Sequence, residues 1–390
     1  MELLIEKLIN GGDALARDNG KVVLTPFVLP GERVTARAVS SRKDLTRAQA
    51  TAIMTGSPHR VQARCPFFTA CGGCAYQHAD YAYQVAQKVE ILKDVLARIG
   101  RFTPPETIRT ITGPEWGSRN RVQLHFDGRR LGYHRAGSHE VVAVNECSIA
   151  SPALNRAIER LSAMARSRRW PAFLRTFELF TNEDQTLFNT LDAGSQRLSR
   201  GFFEWIDAEV PGALDTALDY DGFRVSHRSF FQINRFLIHQ LTETATEGAQ
   251  GGSCLDLYAG VGLFSRALAG CFRQVTAVEA VQSAARDLEV NVPQVAVVRQ
   301  AAEDYLLTLD ATPDYVIADP PRAGLTAKVT RELLRIKPPR VTLVSCDPAT
   351  LARDLAALQP AYGIDSITLI DLFPQTAGIE TISQLHWRTP

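Results

Sequence analysis

The chain has 390 residues, 45% hydrophobic and 22% charged, with 43 lysines and arginines against 42 acids and a net charge of +1. Such a length buries more than one core and predicts two or three domains, while no apolar run is long enough to span a membrane. A near-neutral total excludes a chain that is basic throughout, so any grip on nucleic acid must come from local clusters.

Residues 1–57 alternate apolar and polar positions and turn at Asn10-Gly11-Gly12, Asp18-Asn19-Gly20 and Pro30-Gly31, which predicts a small antiparallel barrel. Through Gly12 and Leu29-Pro30-Gly31-Glu32 it resembles the TRAM domain, an OB-like module, and the resemblance implies RNA binding. Small barrels also serve as plain structural caps. Gly56-Ser57-Pro58 reads as a linker, and Met1-Glu2-Leu3-Leu4 does not open a targeting segment, so a reducing, cytoplasmic location is expected.

Residues 58–105 carry a cysteine-rich loop and then a helix over Tyr81–Ile99, with Val85, Val89, Leu92 and Leu96 on one face and Gly100 as its stop. Cys65, Cys71 and Cys74 are packed together and Cys147 follows much later; such a set holds an iron–sulfur cluster or a zinc ion. Gly72 and Gly73 let the chain wrap tightly there. Disulfides are the alternative, one that a reducing compartment disfavours.

Residues 106–215 read as an α+β domain: strands at Arg121–Phe126 and Leu131–His134, a helix near 152–166, then strands at Phe177–Phe180 and Thr186–Phe188. Between residues 116 and 200 there are 13 arginines and 8 acids, a local net charge of +5, clustered at Arg119/Arg121, Arg129/Arg130 and Arg166/Arg168/Arg169. Guanidinium groups suit phosphate forks and base stacking, although a solvated helix face accounts equally well for Arg166–Arg169.

Residues 216–390 hold the densest motifs, opening with Phe230-Phe231-Gln232-Ile233-Asn234. Ser253–Tyr258 predicts a strand, Ala259-Gly260-Val261-Gly262 a tight turn, and Leu263–Leu268 a helix. The third glycine of a dinucleotide fingerprint and a Walker lysine are both missing, which weakens nicotinamide and nucleoside-triphosphate readings. Glu279 ends the next strand, Gln274–Glu279, where a carboxylate accepts ribose hydroxyls; Asp319 ends a later one, Tyr315–Ala318. Each acid alone is as simply a helix cap or a solvated strand end. Cys254 and Cys271, flanking the loop on apolar elements, are expected in the core. Together the loop and its acids resemble the S-adenosylmethionine-dependent methyltransferase fold, an α/β, Rossmann-like class I domain.

Ser345-Cys346-Asp347-Pro348 follows the strand-like run Val341–Val344, so Cys346 should stand beside Asp319 at the carboxyl ends of neighbouring strands. A thiolate there adds to an electrophilic ring carbon more readily than an oxygen or nitrogen side chain, although a buried core cysteine is the bland reading. With Asp319-Pro320-Pro321-Arg322 and Ile370-Asp371-Leu372-Phe373-Pro374-Gln375-Thr376-Ala377-Gly378-Ile379-Glu380, the chain resembles the RNA uracil-5-methyltransferase family over nearly its whole length. The resemblance implies that Cys346 attacks carbon 6 of uracil, that carbon 5 takes the methyl group of S-adenosylmethionine, and that Glu380 removes the carbon-5 proton. It further implies cofactor contacts from Gln232, Tyr258, Gly260, Glu279 and Asp319, and a [4Fe-4S] cluster on Cys65, Cys71, Cys74 and Cys147. Leu343 and Gly378 depart from it, standing where the family has tyrosine and histidine.

A barrel combined with the cysteine set resembles the 23S ribosomal RNA branch, while archaeal-type relatives with both act on transfer RNA. The expected partner is structured RNA and not a membrane, and the expected state is a monomer. Two rivals stand beside this reading. Asp319-Pro320-Pro321 is similar to an amino-methyltransferase motif, though Arg322 is not the aromatic residue that motif places next. A methyltransferase fold that only binds RNA is the other.

Overall fold

The computed structural model describes residues 1–388, so the last two positions of the expected 216–390 domain lie outside it. Five strands open the chain: β1 (Glu2–Leu8), β2 (Asp13–Asp18), β3 (Lys21–Pro26), β4 (Arg33–Ser41) and β5 (Leu45–Thr55). They close into a barrel in the order β1-β2-β3-β5-β4, as the alternating pattern predicts, with Leu3, Ile5, Ala14, Ala16 and Val34 turned inward; it is not antiparallel throughout, because β5 returns to close on β3 in parallel. The barrel interior is continuous with the core under the helix that follows and with one face of the large carboxyl-terminal sheet, so the barrel is packed onto the rest of the chain.

That helix, α1 (Tyr81–Val95), is capped by Asp80, whose carboxylate accepts from Tyr83 N at 2.8 Å. It runs into a wider turn at Leu96–Gly100, and the chain leaves through Arg101 in the left-handed region. Half of the expected stripe holds, since Leu92 and Leu96 are buried, but in the first two turns the inward positions are Gln84 and Lys88, one residue away from Val85 and Val89, which are only half-buried. Lys88 is fully buried because Asp371 neutralises it at 2.7 Å. Removing one member of such a pair costs about 3–5 kcal/mol, since the other is left as an uncompensated buried charge.

The short β6 (Arg109–Ile111) precedes a five-stranded sheet of order β11-β10-β7-β8-β9, made from β7 (Arg121–Phe126), β8 (Leu131–His134), β9 (Val141–Ala143), β10 (Thr176–Thr181) and β11 (Thr186–Asp192). α2 (Pro152–Met164) buries Leu154, Ile158 and Leu161 in the same core as Phe177 and Phe188 of that sheet, and α3 (Arg200–Asp207) adds Phe202 and Ile206. β6 itself, expected within this central region, pairs with β19 below; three residues offer no periodicity from which to read a partner.

The hairpin β12 (Ala217–Tyr220) and β13 (Phe223–Ser226) and helix α4 (Ile238–Ala245) lead into an alternating segment. It comprises β14 (Gly251–Leu257), α5 (Leu263–Leu268), β15 (Phe272–Val278), α6 (Gln282–Asn291), β16 (Ala296–Val298), α7 (Ala302–Leu307) and β17 (Tyr315–Ala318), then α8 (Ala327–Ile336), β18 (Arg340–Ser345), α9 (Pro348–Leu358), β19 (Tyr362–Ile370) and β20 (Glu380–Trp387). The eight-stranded sheet has the order β16-β15-β14-β17-β18-β20-β19-β6, parallel from β16 to β18, with β20 antiparallel to both its neighbours. Helices on both faces explain why Tyr315–Ala318 is buried at every position instead of alternating. This is the Rossmann-like α/β architecture that the resemblance implies. Cys254 is buried in it, whereas Cys271, expected in the core, is exposed because it lies in the turn between α5 and β15. Among the described residues no helix is long and apolar enough to cross a membrane.

Candidate active site

Four parallel strands end side by side. The register pairs Leu257 with Val278, Leu257 with Ala318, and Ala318 with Leu343, so Tyr258, Glu279, Asp319 and, a little further on, Cys346 leave the sheet along one edge. The turn after β14 is built from left-handed residues: Tyr258 at φ 62°, Gly260 at 57° and Gly262 at 96°. A non-glycine residue in that region costs about 1–2 kcal/mol, so Tyr258 is held there by its surroundings. At Gly262 a Cβ would come within 2.5 Å of Leu288, so only glycine lets α6 pack against the turn.

At Gly260, by contrast, a Cβ would meet nothing within 4 Å, and the turn is open to a ligand. Gly260 N donates to Glu279 Oε2 at 2.8 Å and Val281 N to Glu279 Oε1 at 2.6 Å. Each oxygen keeps a lone pair for a ribose hydroxyl. Asp319, half-buried, accepts from Gln232 Nε2 at 3.3 Å, and burial pushes its carboxyl up to about 7. Gln232 is fixed in turn by its carbonyl, which accepts from Asn120 Nδ2 at 2.9 Å.

Asp256 joins this group, and its only mark in the sequence is an acid ending an apolar strand. It is fully buried, accepts from Ser265 Oγ at 2.5 Å through one oxygen, and has no partner for the other. Burial, reinforced by the charges of Asp319 and Glu279 and opposed by Ser265, raises its carboxyl to about 7. The Tyr258 hydroxyl is likewise buried without a partner. An open turn, a carboxylate with spare acceptor capacity and unpartnered polar atoms fit a nucleoside cofactor.

On the other side of Asp319, β20 pairs antiparallel with β18. Ser345 lies opposite Thr381, whose hydroxyl donates to the Ser345 carbonyl at 3.1 Å. The next residue on each side is Cys346, just past the end of β18, and Glu380, the first residue of β20. The thiol is half-buried and Glu380 is buried. Burial, with the charges of Glu380 and Asp319 adding and Arg322 opposing, pushes the Cys346 thiol up to about 11. The same burial, followed by the charge of Asp319, holds Glu380 well above the usual carboxylate range, against the pull of Arg322. Asp347 caps α9 by accepting from Ala349 N and Thr350 N, both at 2.9 Å, so Cys346 stands just ahead of the positive end of that helix.

Leu343 is buried in the core of the sheet, opposite Ala318 at the end of β17. At Gly378 a Cβ would lie 2.7 Å from the Phe373 ring, so the phenyl group takes up the space that a larger residue there would need.

Cys65, Cys71, Cys74 and Cys147 line one cavity of about 170 Å³, together with Phe67 and Tyr133. Gly72 makes the fold possible, because a Cβ there would come within 2.9 Å of Ala136 N. Cys147 is presented by Asn155, whose Oδ1 accepts from Cys147 N at 2.7 Å while Nδ2 donates to the Cys147 carbonyl at 3.1 Å. Burial raises the Cys65, Cys71 and Cys74 thiols, and each is raised further by the charge of Cys147. The Tyr133 hydroxyl is buried without a hydrogen-bond partner beside them. Among the described residues no three histidine, cysteine or acidic side chains are set to hold a single metal ion.

Comparison with known proteins agrees across the chain. Residues 213–387 match the family described as tRNA (uracil-5-)-methyltransferase, and residues 1–51 match the TRAM domain. An RNA methyltransferase of Aquifex aeolicus (strain VF5) is 32% identical, over 99% of this chain and 98% of that protein. The 23S rRNA (uracil(1939)-C(5))-methyltransferase RlmD of Azoarcus sp. (strain BH72) is 31% identical, over 97% and 98%. Among solved structures, the Pyrococcus abyssi tRNA (uracil-54, C5)-methyltransferase in complex with S-adenosyl-L-homocysteine superposes with a TM-score of 0.75 at 25% identity, over 99% of this chain and all of that one.

Proposed function

The chain belongs to the RNA uracil-5-methyltransferase family, and on that premise we propose that it methylates carbon 5 of a uridine in 23S ribosomal RNA through a covalent adduct on Cys346, with Glu380 as the base. Enzymes of this family use S-adenosylmethionine, which supplies the methyl group. The observation that carries the assignment of roles is the convergence of Cys346, Glu380 and Asp319 at the facing ends of β18, β20 and β17.

Carbon 5 of uracil is a poor nucleophile. Attack by the Cys346 sulfur on carbon 6 forms a carbon–sulfur bond and moves the ring electrons onto oxygen 4, which makes carbon 5 enolate-like. After carbon 5 is methylated, Glu380 takes its proton, the double bond re-forms and the thiolate leaves. A carboxylate raised by burial is a stronger base once ionised, which suits this step. Gln232, Tyr258, Gly260, Glu279 and Asp319 would hold the nucleoside and amino-acid ends of the cofactor beside them.

Ribosomal RNA is favoured because the relative that is 31% identical over nearly the full length is named for a 23S target, whereas the transfer-RNA enzyme is 25% identical. The barrel and the exposed arginines Arg129, Arg130, Arg166, Arg168 and Arg169 supply the grip, whereas Arg121 is turned inward onto Glu178 at 3.0 Å and serves the fold; one copy of the chain contains every group invoked. Incubating purified enzyme with unmodified 23S ribosomal RNA and with unmodified transfer RNA, then mapping 5-methyluridine by mass spectrometry, tests the target. Label in transfer RNA alone would reassign it.

The four cysteines are proposed to bind a [4Fe-4S] cluster, which would link the loop to the central sheet. Their shared cavity is roomier than one ion needs, and thiolates are ordinary cluster ligands. Protein purified without oxygen should be brown and contain iron and acid-labile sulfide. Cys71→Ser or Cys147→Ser should bleach it and lower its melting temperature, because a site joining remote segments contributes folding energy. Colourless protein with one bound zinc would overturn the assignment.

A further inference from the structure

The segment that carries Glu380 is the connection between β19 and β20, residues 371–379. Its anchors come from parts of the chain far away in sequence. Lys88 Nζ donates to Asp371 Oδ1 at 2.7 Å and to the Phe373 carbonyl at 2.9 Å. One turn earlier on α1, Gln84 Oε1 accepts from Gln375 N at 3.1 Å while Nε2 donates to Gln375 Oε1 at 3.0 Å. The Gln375 carbonyl accepts from both Ala75 N and Tyr76 N at 3.0 Å, and its side-chain amide donates to Glu115 at 2.8 Å.

These contacts lie next to the group that matters. Ile370 is the cross-strand partner of Glu380, so the Asp371 anchor is one residue from the position facing the carboxylate. Cys346 follows the end of β18, and neither receives any of these bonds. Lys88 and Gln84 are buried on an otherwise apolar helix stripe, and both side chains spend their hydrogen bonds on this connection, apart from one from Gln84 to the Ala79 carbonyl.

We propose that Lys88 and Gln84 are positioning residues for the deprotonation step, holding the 371–379 connection so that Glu380 stays within reach of the carbon-5 proton. The proposal rests on Glu380 being the base. Loss of these anchors leaves addition and methylation intact and slows release of the product.

The test uses Lys88→Met combined with Asp371→Asn, which removes both charges so that neither is left buried alone, and independently Gln84→Met. Each is mixed with methyl-labelled S-adenosylmethionine and a 23S ribosomal RNA fragment. The first-turnover methyl transfer per enzyme, the steady-state rate, and the covalent enzyme–RNA complex on a denaturing gel are then measured. Expected is a first turnover near the wild-type amplitude, a steady-state rate lower by at least about tenfold, and accumulation of the complex. A merely structural role would lower burst and steady state together with no complex, and that result, or an unchanged ratio of the two in both variants, overturns the proposal. Wild-type enzyme with 5-fluorouridine RNA separates the levels. If it forms no adduct, the covalent reading fails and takes the proposal with it. If it forms one, and Glu380→Gln traps the complex while the α1 variants do not, positioning alone is wrong.

Discussion

Cys346→Ala is expected to abolish methyl transfer, by about 10⁴-fold or more, while S-adenosylmethionine and RNA still bind. Cys346 is the thiol at these strand ends, where it feels the charge of Glu380, and carbon 5 stays unreactive without addition at carbon 6. Wild-type enzyme should instead form a gel-stable complex with 5-fluorouridine RNA, since fluorine cannot leave carbon 5 as the proton does. The pH dependence of that complex has a definite sign. With the thiol pushed up to about 11, the reactive thiolate is scarce at neutral pH. The rate of adduct formation should therefore climb roughly tenfold per pH unit above neutrality. A flat profile, or methylation by the alanine variant, would rule out attack by a free thiolate at this position.

How much of this could be read before the fold was known depends on whether a feature is local. The turn at Gly260 and Gly262, the strand-end acids Glu279 and Asp319, and Cys346 each sit inside a short contiguous pattern, where an apolar strand, a tight turn and a helix start follow one another. Parallel strands then bring such patterns to one edge without further information. The cysteines are legible for a different reason, because thiols are few and their spacing is conspicuous.

The Lys88–Asp371 pair joins residues 283 positions apart, and neither has a local signature; Val85 and Val89 made an equally good apolar stripe one position round the helix. The clue was there in a weaker form, as Gln84, Lys88 and Leu92 spaced by four on a face that packs against the core. Asp256 was legible as a strand end but not as a buried acid, because burial of its second oxygen depends on how the strands pack. β6 shows the remaining limit: three residues acquire strand geometry only from the edge they join.

The second large effect is expected at Glu380, and it falls on a different step. Glu380→Gln keeps the size and the hydrogen-bonding outline of the side chain but cannot accept a proton. Cys346 would still add to carbon 6 and carbon 5 would still be methylated, so one methyl group per enzyme should be transferred to RNA. The adduct then has no means of losing the carbon-5 proton, and turnover should fall by about 10²–10⁴-fold, the range a positioned general base contributes. The trapped species should appear on a denaturing gel with unmodified RNA, carry label from the methyl group, and contain a peptide spanning Cys346. Gly378 sharpens the test, because Phe373 packs where a side chain at that position would project, leaving Glu380 without the neighbouring histidine that the family pattern has. If Glu380→Gln turned over at the wild-type rate, the proton would have to leave through another group. Asp319 is the first candidate, since it is the one carboxylate whose charge both Cys346 and Glu380 feel, and burial raises it to about 7. A Glu380→Gln enzyme that lost the first methyl transfer as well, with no complex, would place Glu380 upstream, in activating the thiol.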